Sequence, residues 1–293
     1  MTAPLDHVPV LFDEVLSTLA VEPGQRVLDC TCGLGGHSRG FLAGGATVLG
    51  IDRDPDARDL VRRRLADFGE RFQVRGGSFG QAAAALQQAG ERFDAVLADL
   101  GVSSLQLDDA DRGFSIRSAA PADMRMGDGC AEDAGALIAR LSEAELATCI
   151  RRLGEEPMAK RVARSLQTAV AEGRTSAAEL AEAVRAAVPG HRRRHPAIRV
   201  FQALRMAVND ELGELRRLLT ALPDLLRPGG HVAIISFHSL EDRLVKRIWK
   251  EQQAAGIYQA VARRVLRAGP AELAANHRAH SARLRWAQRG GAL

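Results

Sequence analysis

Asp29-Cys30-Thr31-Cys32-Gly33-Leu34-Gly35-Gly36-His37-Ser38 joins an apolar pair, Val27 and Leu28, to what reads as a helix from Ser38 to Leu42. A second apolar run, Ala46 to Ile51, ends in Asp52. Strand, acid, glycine turn, helix, strand, acid is the layout of a nucleotide-cofactor site on a parallel sheet. The glycines let the backbone approach a ligand closely, and the start of the helix offers free N–H groups. Asp52, about 20 residues further on, is placed to accept hydrogen bonds from ribose hydroxyls.

The type of cofactor follows from the charge at the strand end. A dinucleotide loop has a third glycine or alanine where Ser38 stands. A carboxylate at Asp29 would repel a pyrophosphate. It suits S-adenosylmethionine, which carries an ammonium and a sulfonium and no phosphate, and Asp29-x-x-x-Gly33-x-Gly35 resembles the first motif of methyltransferases that use it. NAD and an ordinary strand-to-helix turn remain open from this stretch alone.

The elements that must position these residues alternate. Residues 11–20 read as a helix closed by Pro23-Gly24. Strands follow at about 26–30, 46–51, 72–75 and 94–98, with helical periodicity at 58–68 and 81–89. This is the pattern of a parallel sheet with crossover helices. After Asp99 it stops. Residues 137–153, 158–171 and 177–188 read as amphipathic helices, with Ser142 and Glu145 spaced as a capping box. A helix over 209–226, a turn at Pro228-Gly229-Gly230, a buried strand over 231–237 and a helix over 241–252 restore the alternation, and strands are expected near 257–265 and 282–288. The fold class is therefore α/β, a doubly wound, mostly parallel, Rossmann-like sheet interrupted by a helical insertion. Residues 1–104 and 208–293 form the cofactor domain and 105–207 the insertion.

Composition sets wide bounds. The 293 residues are 46% apolar and 26% charged, ordinary for a globular protein, and the net charge of +4 permits a polyanionic partner. Arginine supplies nearly all of the positive charge, and its planar fork suits phosphate. Cys30, Cys32, Cys130 and Cys149 have no paired metal-ligand spacing and read as reduced thiols of a cytoplasmic protein, so no metal site is expected. No signal peptide opens the chain, and no apolar run approaches the ~20 residues needed to span a membrane.

Longer motifs follow the fourth strand. They are Asp99-Leu100-Gly101-Val102-Ser103-Ser104-Leu105-Gln106-Leu107-Asp108, Arg112-Gly113-Phe114-Ser115 and Asp123-Met124-Arg125-Met126. With His7-Val8-Pro9-Val10-Leu11, Gly154-Glu155-Glu156, the stretch from His195 through Phe201-Gln202-Ala203-Leu204-Arg205 to Asn209, Ser236-Phe237-His238-Ser239-Leu240-Glu241-Asp242-Arg243 and His280 to Arg285, they resemble the bacterial 16S ribosomal RNA (cytosine-N4)-methyltransferases nearly end to end. Ile198 and Val200 depart from the pattern, standing where threonines are expected. The acidic-aromatic tetrad of amino-group methyltransferases is replaced by Asp99-Leu100-Gly101-Val102.

The resemblance implies S-adenosylmethionine as cofactor and a cytidine N4 amine in the 16S ribosomal RNA of the small subunit, near the decoding centre, as methyl acceptor. It allows a homodimer. Asp29, Gly33, Gly35, Gly36, His37, Asp52, Phe79, Asp99 and Gln106 are the implied cofactor contacts. From spacing alone Phe79 reads as a core aromatic and His37 as a polar residue at a helix start. Asp99 is the candidate acceptor for the reacting amine, or else a cap of the following turn. His238 is the second catalytic candidate, placed with Ser239 on the target-base side, the alternative being a polar turn in which Ser239 caps the next helix. His7 and Pro9 either help close the site or simply pack. Phe114 and Phe237 are candidates for stacking on a flipped base, and Arg192, Arg193 and Arg194 for gripping the RNA backbone. A same-fold methyltransferase acting on DNA or another RNA, and a non-catalytic ribosome assembly factor, are the competing functions.

Overall fold

The structure is a computed structural model and describes residues 9–190 and 195–291. His7 and the Arg192–Arg194 cluster lie outside the described residues. The chain divides into two compact units, one holding the residues up to Gly101 and from Gly213 onward, the other Val102–Leu212.

The first unit is built on seven strands: β1 (Arg26–Asp29), β2 (Thr47–Asp52), β3 (Phe72–Gly76), β4 (Phe93–Asp99), β5 (Leu226–Ser236), β6 (Tyr258–Val261) and β7 (Arg283–Arg289). Their order is β3-β2-β1-β4-β5-β7-β6. β1 to β5 run parallel, and β7 is antiparallel to both β5 and β6. The inner strands are buried on both faces, which is why Val27-Leu28 and Ala95-Val96-Leu97-Ala98 read as unbroken apolar runs. Helices Gly36–Ala43, Pro55–Arg64 and Phe79–Gln88 make the crossovers between β1, β2, β3 and β4. The order reverses between β1 and β4, so a crevice for a ligand opens beyond the carboxyl ends of those strands.

Two sequence expectations are corrected here. The Pro228-Gly229-Gly230 turn lies inside β5, not before it. Leu226 pairs with Phe93 and His231 with Ala95, so the intervening residues form a bulge, with Gly229 at φ +81°. The helix expected over 137–153 is two helices, Ala134–Arg140 and Glu143–Gly154. Ser142 breaks the run because it caps the second helix, its hydroxyl taking the Glu145 N–H while Glu145 takes the Ser142 N–H.

Helices Ala159–Ala171, Ala177–Ala187 and Ala197–Val208 complete the second unit. Its core runs through Leu137, Ile138, Leu146, Ile150, Leu166, Leu180, Val184, Val200 and Leu204. Val200 is fully buried there, which accounts for an apolar residue at that position, whereas Ile198 is exposed. Asn209 ties the end of the Ala197–Val208 helix to the 124–130 loop. Its amide donates to the Met124 carbonyl at 2.8 Å, and its oxygen accepts the Met126 N–H at 2.9 Å.

Candidate active site

Three strands of the first unit end in acids: Asp29 on β1, Asp52 on β2 and Asp99 on β4. Asp29 is buried and accepts from the Ser38 hydroxyl at 2.7 Å and the Thr31 N–H at 3.2 Å. Burial raises its carboxyl to about 6 against the lowering effect of those bonds, so it is mostly ionised at neutral pH.

Asp52 holds the glycine loop. Its Oδ2 accepts the Gly33 N–H at 2.7 Å and its Oδ1 the Asp54 N–H at 2.8 Å. Each carboxylate oxygen has a second lone pair, so capacity remains for a ligand hydroxyl. Gly33 and Gly35 both adopt positive φ, and a Cβ on Gly35 would come within 2.6 Å of Val61 and 2.8 Å of Leu65. A Cβ on Gly36 would collide with Pro9. Pro9 therefore packs onto the loop, and only glycine lets the two approach so closely.

Asp99 is held by the loop as well. Its N–H donates to Thr31 Oγ1 at 2.6 Å. Its Oδ1 is buried without a hydrogen-bond partner. Burial pushes this carboxyl up to about 8, and the negative charges of Asp29 and Glu241 add to the rise. His37, in the first turn of the helix after the loop, places Nδ1 4.0 Å from Asp99 Oδ2 and Nε2 3.2 Å from the Val10 carbonyl. A carbonyl only accepts, so Nε2 carries the proton and Nδ1 is left as an acceptor. Burial lowers His37 to about 4, so the ring is neutral.

Phe79 is half-buried and opens the Phe79–Gln88 helix beyond the carboxyl end of β3. That helix is capped from a distance: the Glu214 carboxylate accepts the Gly80 and Gln81 N–H groups at 2.8 and 3.2 Å. Past β5, the helix Ser239–Ala254 is capped by His238, whose Nδ1 accepts the Glu241 N–H at 3.4 Å. The expectation that Ser239 supplies this cap is corrected, since Ser239 is already the first helical residue. Glu241 returns the bond by accepting the Phe237 and His238 N–H groups at 3.1 and 3.3 Å. Phe237 packs against the core of the first unit.

The remaining candidates lie in the second unit. Gln106 is buried, its amide donating to the Met126 carbonyl at 2.8 Å and its oxygen accepting the Ser103 N–H at 3.0 Å. Phe114 is half-buried against that unit's helical core.

Sequence reasoning missed Thr31, Ser38 and Glu241 as supports of the site. Ser38 had a signal, since it replaces the third small residue of a dinucleotide loop. His238-x-x-Glu241 has capping-box spacing with an unusual first residue. The paired cysteines of the loop are inert, because burial and then the charge of Asp29 push both thiols well up.

A doubly wound sheet with an acid-lined glycine loop at its switch point defines a Rossmann-like methyltransferase. The chain belongs to the MraW methylase family, whose model matches residues 4–290. It is 46% identical to a protein of Solidesulfovibrio magneticus named ribosomal RNA small subunit methyltransferase H, over 97% of this chain and 95% of the relative. Proteins of the same name from an Anaeromyxobacter species and from Gloeobacter violaceus are 45% and 46% identical over 97% of this chain, with 98% and 88% of their own lengths covered. Among solved structures, a SAM-dependent O-methyltransferase from Thermotoga maritima superposes with a TM-score of 0.43 at 10% identity, covering 96% of this chain and 65% of that one.

Proposed function

We propose that this protein methylates the exocyclic N4 amine of a cytidine in the 16S ribosomal RNA of the small subunit, near the decoding centre, using S-adenosylmethionine. The observation that carries the reading is the orphaned, buried Oδ1 of Asp99 beside the ionised Asp29, at the switch point of the sheet. Two acids at one switch point, neither of them paired with a cation among the described residues, suit a cationic cofactor and an amine that gains positive charge.

The residues of the first unit fit that cofactor. Asp29 and the loop Gly33, Gly35, Gly36 and His37 would hold its amino-acid end, Asp52 its ribose and Phe79 its adenine edge; Gln106, in the second unit, stays a contact implied by the family resemblance alone. Bound there, S-adenosylmethionine supplies a methyl group activated on a sulfonium. The protein supplies position and charge. The cytosine N4 lone pair is delocalised into the ring, so the amine needs an acceptor for its hydrogens. Asp99, ionised once a cation neighbours it, accepts that hydrogen bond, localises the lone pair and takes up the growing charge on nitrogen. The proton is then taken by the Asp99 carboxylate, which passes it on to solvent once the product has left. We assign His37 the place of a neutral wall whose Nδ1 accepts without competing as a cation. His238 shapes the turn that presents Phe237 to the base side.

The target base must be flipped or presented in a single strand. Phe237 and Phe114 are the stacking candidates, and the insertion with Arg192, Arg193 and Arg194 is the RNA-recognition domain. Among the described residues no helix is long and apolar enough to cross a membrane. The deciding experiment is methyl transfer from labelled S-adenosylmethionine to small subunits from cells lacking this protein, followed by digestion to nucleosides. Label in N4-methylcytidine from subunits, absent with Asp99→Ala, is the expected result. Label in duplex DNA or at another atom overturns the substrate.

A further inference from the structure

The rim of the sheet at the carboxyl ends of the parallel strands is divided by charge. Asp29, Asp52 and Asp99 line the half formed by β1, β2 and β4. The other half carries a run of arginines beside the paired or capping acids Glu241 and Asp242. Asp99 pairs with Ile235, and the next residue of β5, Ser236, pairs with Arg283, the first residue of β7. Because β7 runs antiparallel, Arg283 enters the sheet at the end where β4 and β5 leave it. It stands two strand spacings from Asp99, roughly 10 Å across the sheet. Leu266 and Leu284 exchange both backbone hydrogen bonds, at 2.9 and 3.0 Å, in an isolated antiparallel bridge, so Arg267 and Arg283 are each the immediate chain neighbour of a bridged residue. Between Arg263 and Arg283 the chain carries Arg263, Arg264, Arg267 and Arg278, and its one acid, Glu272, accepts the Leu11 N–H at 2.8 Å.

Arg283 is built differently from its neighbour. Arg285 lies two residues along β7, on the same face of the strand, and its guanidinium bonds the Asp242 carboxylate at 2.6 and 3.4 Å. Arg283 has no such carboxylate, and its Nη1 is buried without a hydrogen-bond partner. A buried, unpaired guanidinium nitrogen is costly, and a second arginine beside the adjoining bridge adds like-charge repulsion. Both costs are relieved by one anion seated between the two side chains. A guanidinium fork fits phosphate oxygens in particular. The acidic half of the rim repels phosphate, and the basic half lies past Phe237, away from the glycine loop.

We propose that Arg283, backed by Arg267, is the seat for a backbone phosphate of the RNA next to the nucleotide being modified. This rests on the reading of the protein as an RNA methyltransferase. Arg283 acts as a positioning residue: it fixes where the strand lies so that the base reaches Asp99.

The test compares wild type with Arg283→Ala, Arg283→Lys and Arg267→Ala, each checked by thermal melting. Calorimetry with S-adenosylmethionine should show unchanged affinity. Binding of a short single-stranded oligoribonucleotide, followed against salt, should lose about one unit of slope in Arg283→Ala. On unmodified small subunits the KM should rise about tenfold or more with kcat largely kept, and Arg283→Lys should recover part of the loss. Arg267→Ala, at an exposed position, should lower the salt slope even if Arg283→Ala does not fold. Unchanged salt slope and KM in the variants overturn the proposal. Loss of S-adenosylmethionine binding with RNA binding intact also overturns it, and moves Arg283 to the cofactor's carboxylate. If wild type shows the Arg283-dependent slope but labels no cytidine, the methylation reading fails and the phosphate seat stands.

Discussion

His37 Nδ1 and Asp99 Oδ2 face each other at 4.0 Å, and at neutral pH they are not an ion pair. Burial holds His37 near 4, and burial with the charges of Asp29 and Glu241 lifts Asp99 to about 8. A neutral imidazole that can only accept at Nδ1 therefore looks onto a largely protonated carboxyl. Such a site is set to change state when a cation enters.

Cofactor binding should consequently release a proton. A sulfonium and an ammonium favour the ionised form of Asp99, so S-adenosylmethionine affinity should rise by up to about tenfold per pH unit below about pH 8 and level off above it. Titration calorimetry in two buffers of different ionisation enthalpy measures the proton directly. Asp99→Asn should abolish the part of the release that is centred near pH 8. An unchanged proton count in that variant would remove Asp99 from the coupling.

The same shift predicts a stability cost without cofactor. Asp99 and Asp29 both have raised folded-state values, about 8 and about 6, so their contribution favours the fold at low pH and is lost as pH rises through those values. His37, with a lowered value, contributes in the opposite sense, losing stability as pH falls toward about 4. Asp99→Asn should melt above wild type at pH 9, and the gap should narrow steadily as pH falls toward 4. Turnover should fall by at least about a hundredfold, in the range of lost acid–base or charge-stabilising groups.

Asp52→Ala removes the acceptor for both Gly33 and Asp54 N–H groups. Two partly buried donors lose their partner, at about 1–3 kcal/mol of stability. The loop loses its preset shape, and cofactor affinity should fall about tenfold or more, with Asp52→Asn intermediate because it keeps one acceptor. Denaturant unfolding and calorimetry read the two effects separately.

Gly35→Ala should be worse than its size implies. The new methyl sits at φ +78° and drives into Val61 and Leu65. Positive-φ strain and overpacking together cost about 2–4 kcal/mol. The expected outcome is a lowered unfolding midpoint with cofactor binding lost, whereas Gly69→Ala, in open space at φ +56°, should show the strain alone and keep binding.

Neutralising Arg192, Arg193 and Arg194 together should weaken RNA binding and lower its salt slope by as much as about three. Cofactor affinity should not change. An unaltered salt slope would leave the cluster a solvated face.

The residues alone were enough for the parallel sheet, the glycine loop and its two acids, because buried parallel strands and loop glycines leave local marks: apolar runs, turn residues and an acid at each strand end. The family motifs carried the methyltransferase reading the rest of the way. Local pattern misjudged two places, one where a capping box that it does show breaks a helical run and one where a distant strand decides. The helix over 137–153 is split because Ser142 finds Glu145, and Pro228-Gly229-Gly230 is a bulge because Leu226 already pairs with β4. Charge state lay further from reach. No spacing rule shows that Asp99 is held near 8 or that His37 stays neutral, since both follow from burial, joined for Asp99 by the acids contributed by β1 and the helix after β5. The approach of Arg283 to the Arg267 segment, through the Leu266–Leu284 bridge, likewise exists only once β7 has turned back beside β5. Sequence determined which residues this protein has for binding a cation and an anion, and tertiary structure decided their ionisation and their order along the rim, because desolvation and register are properties of neighbours in space.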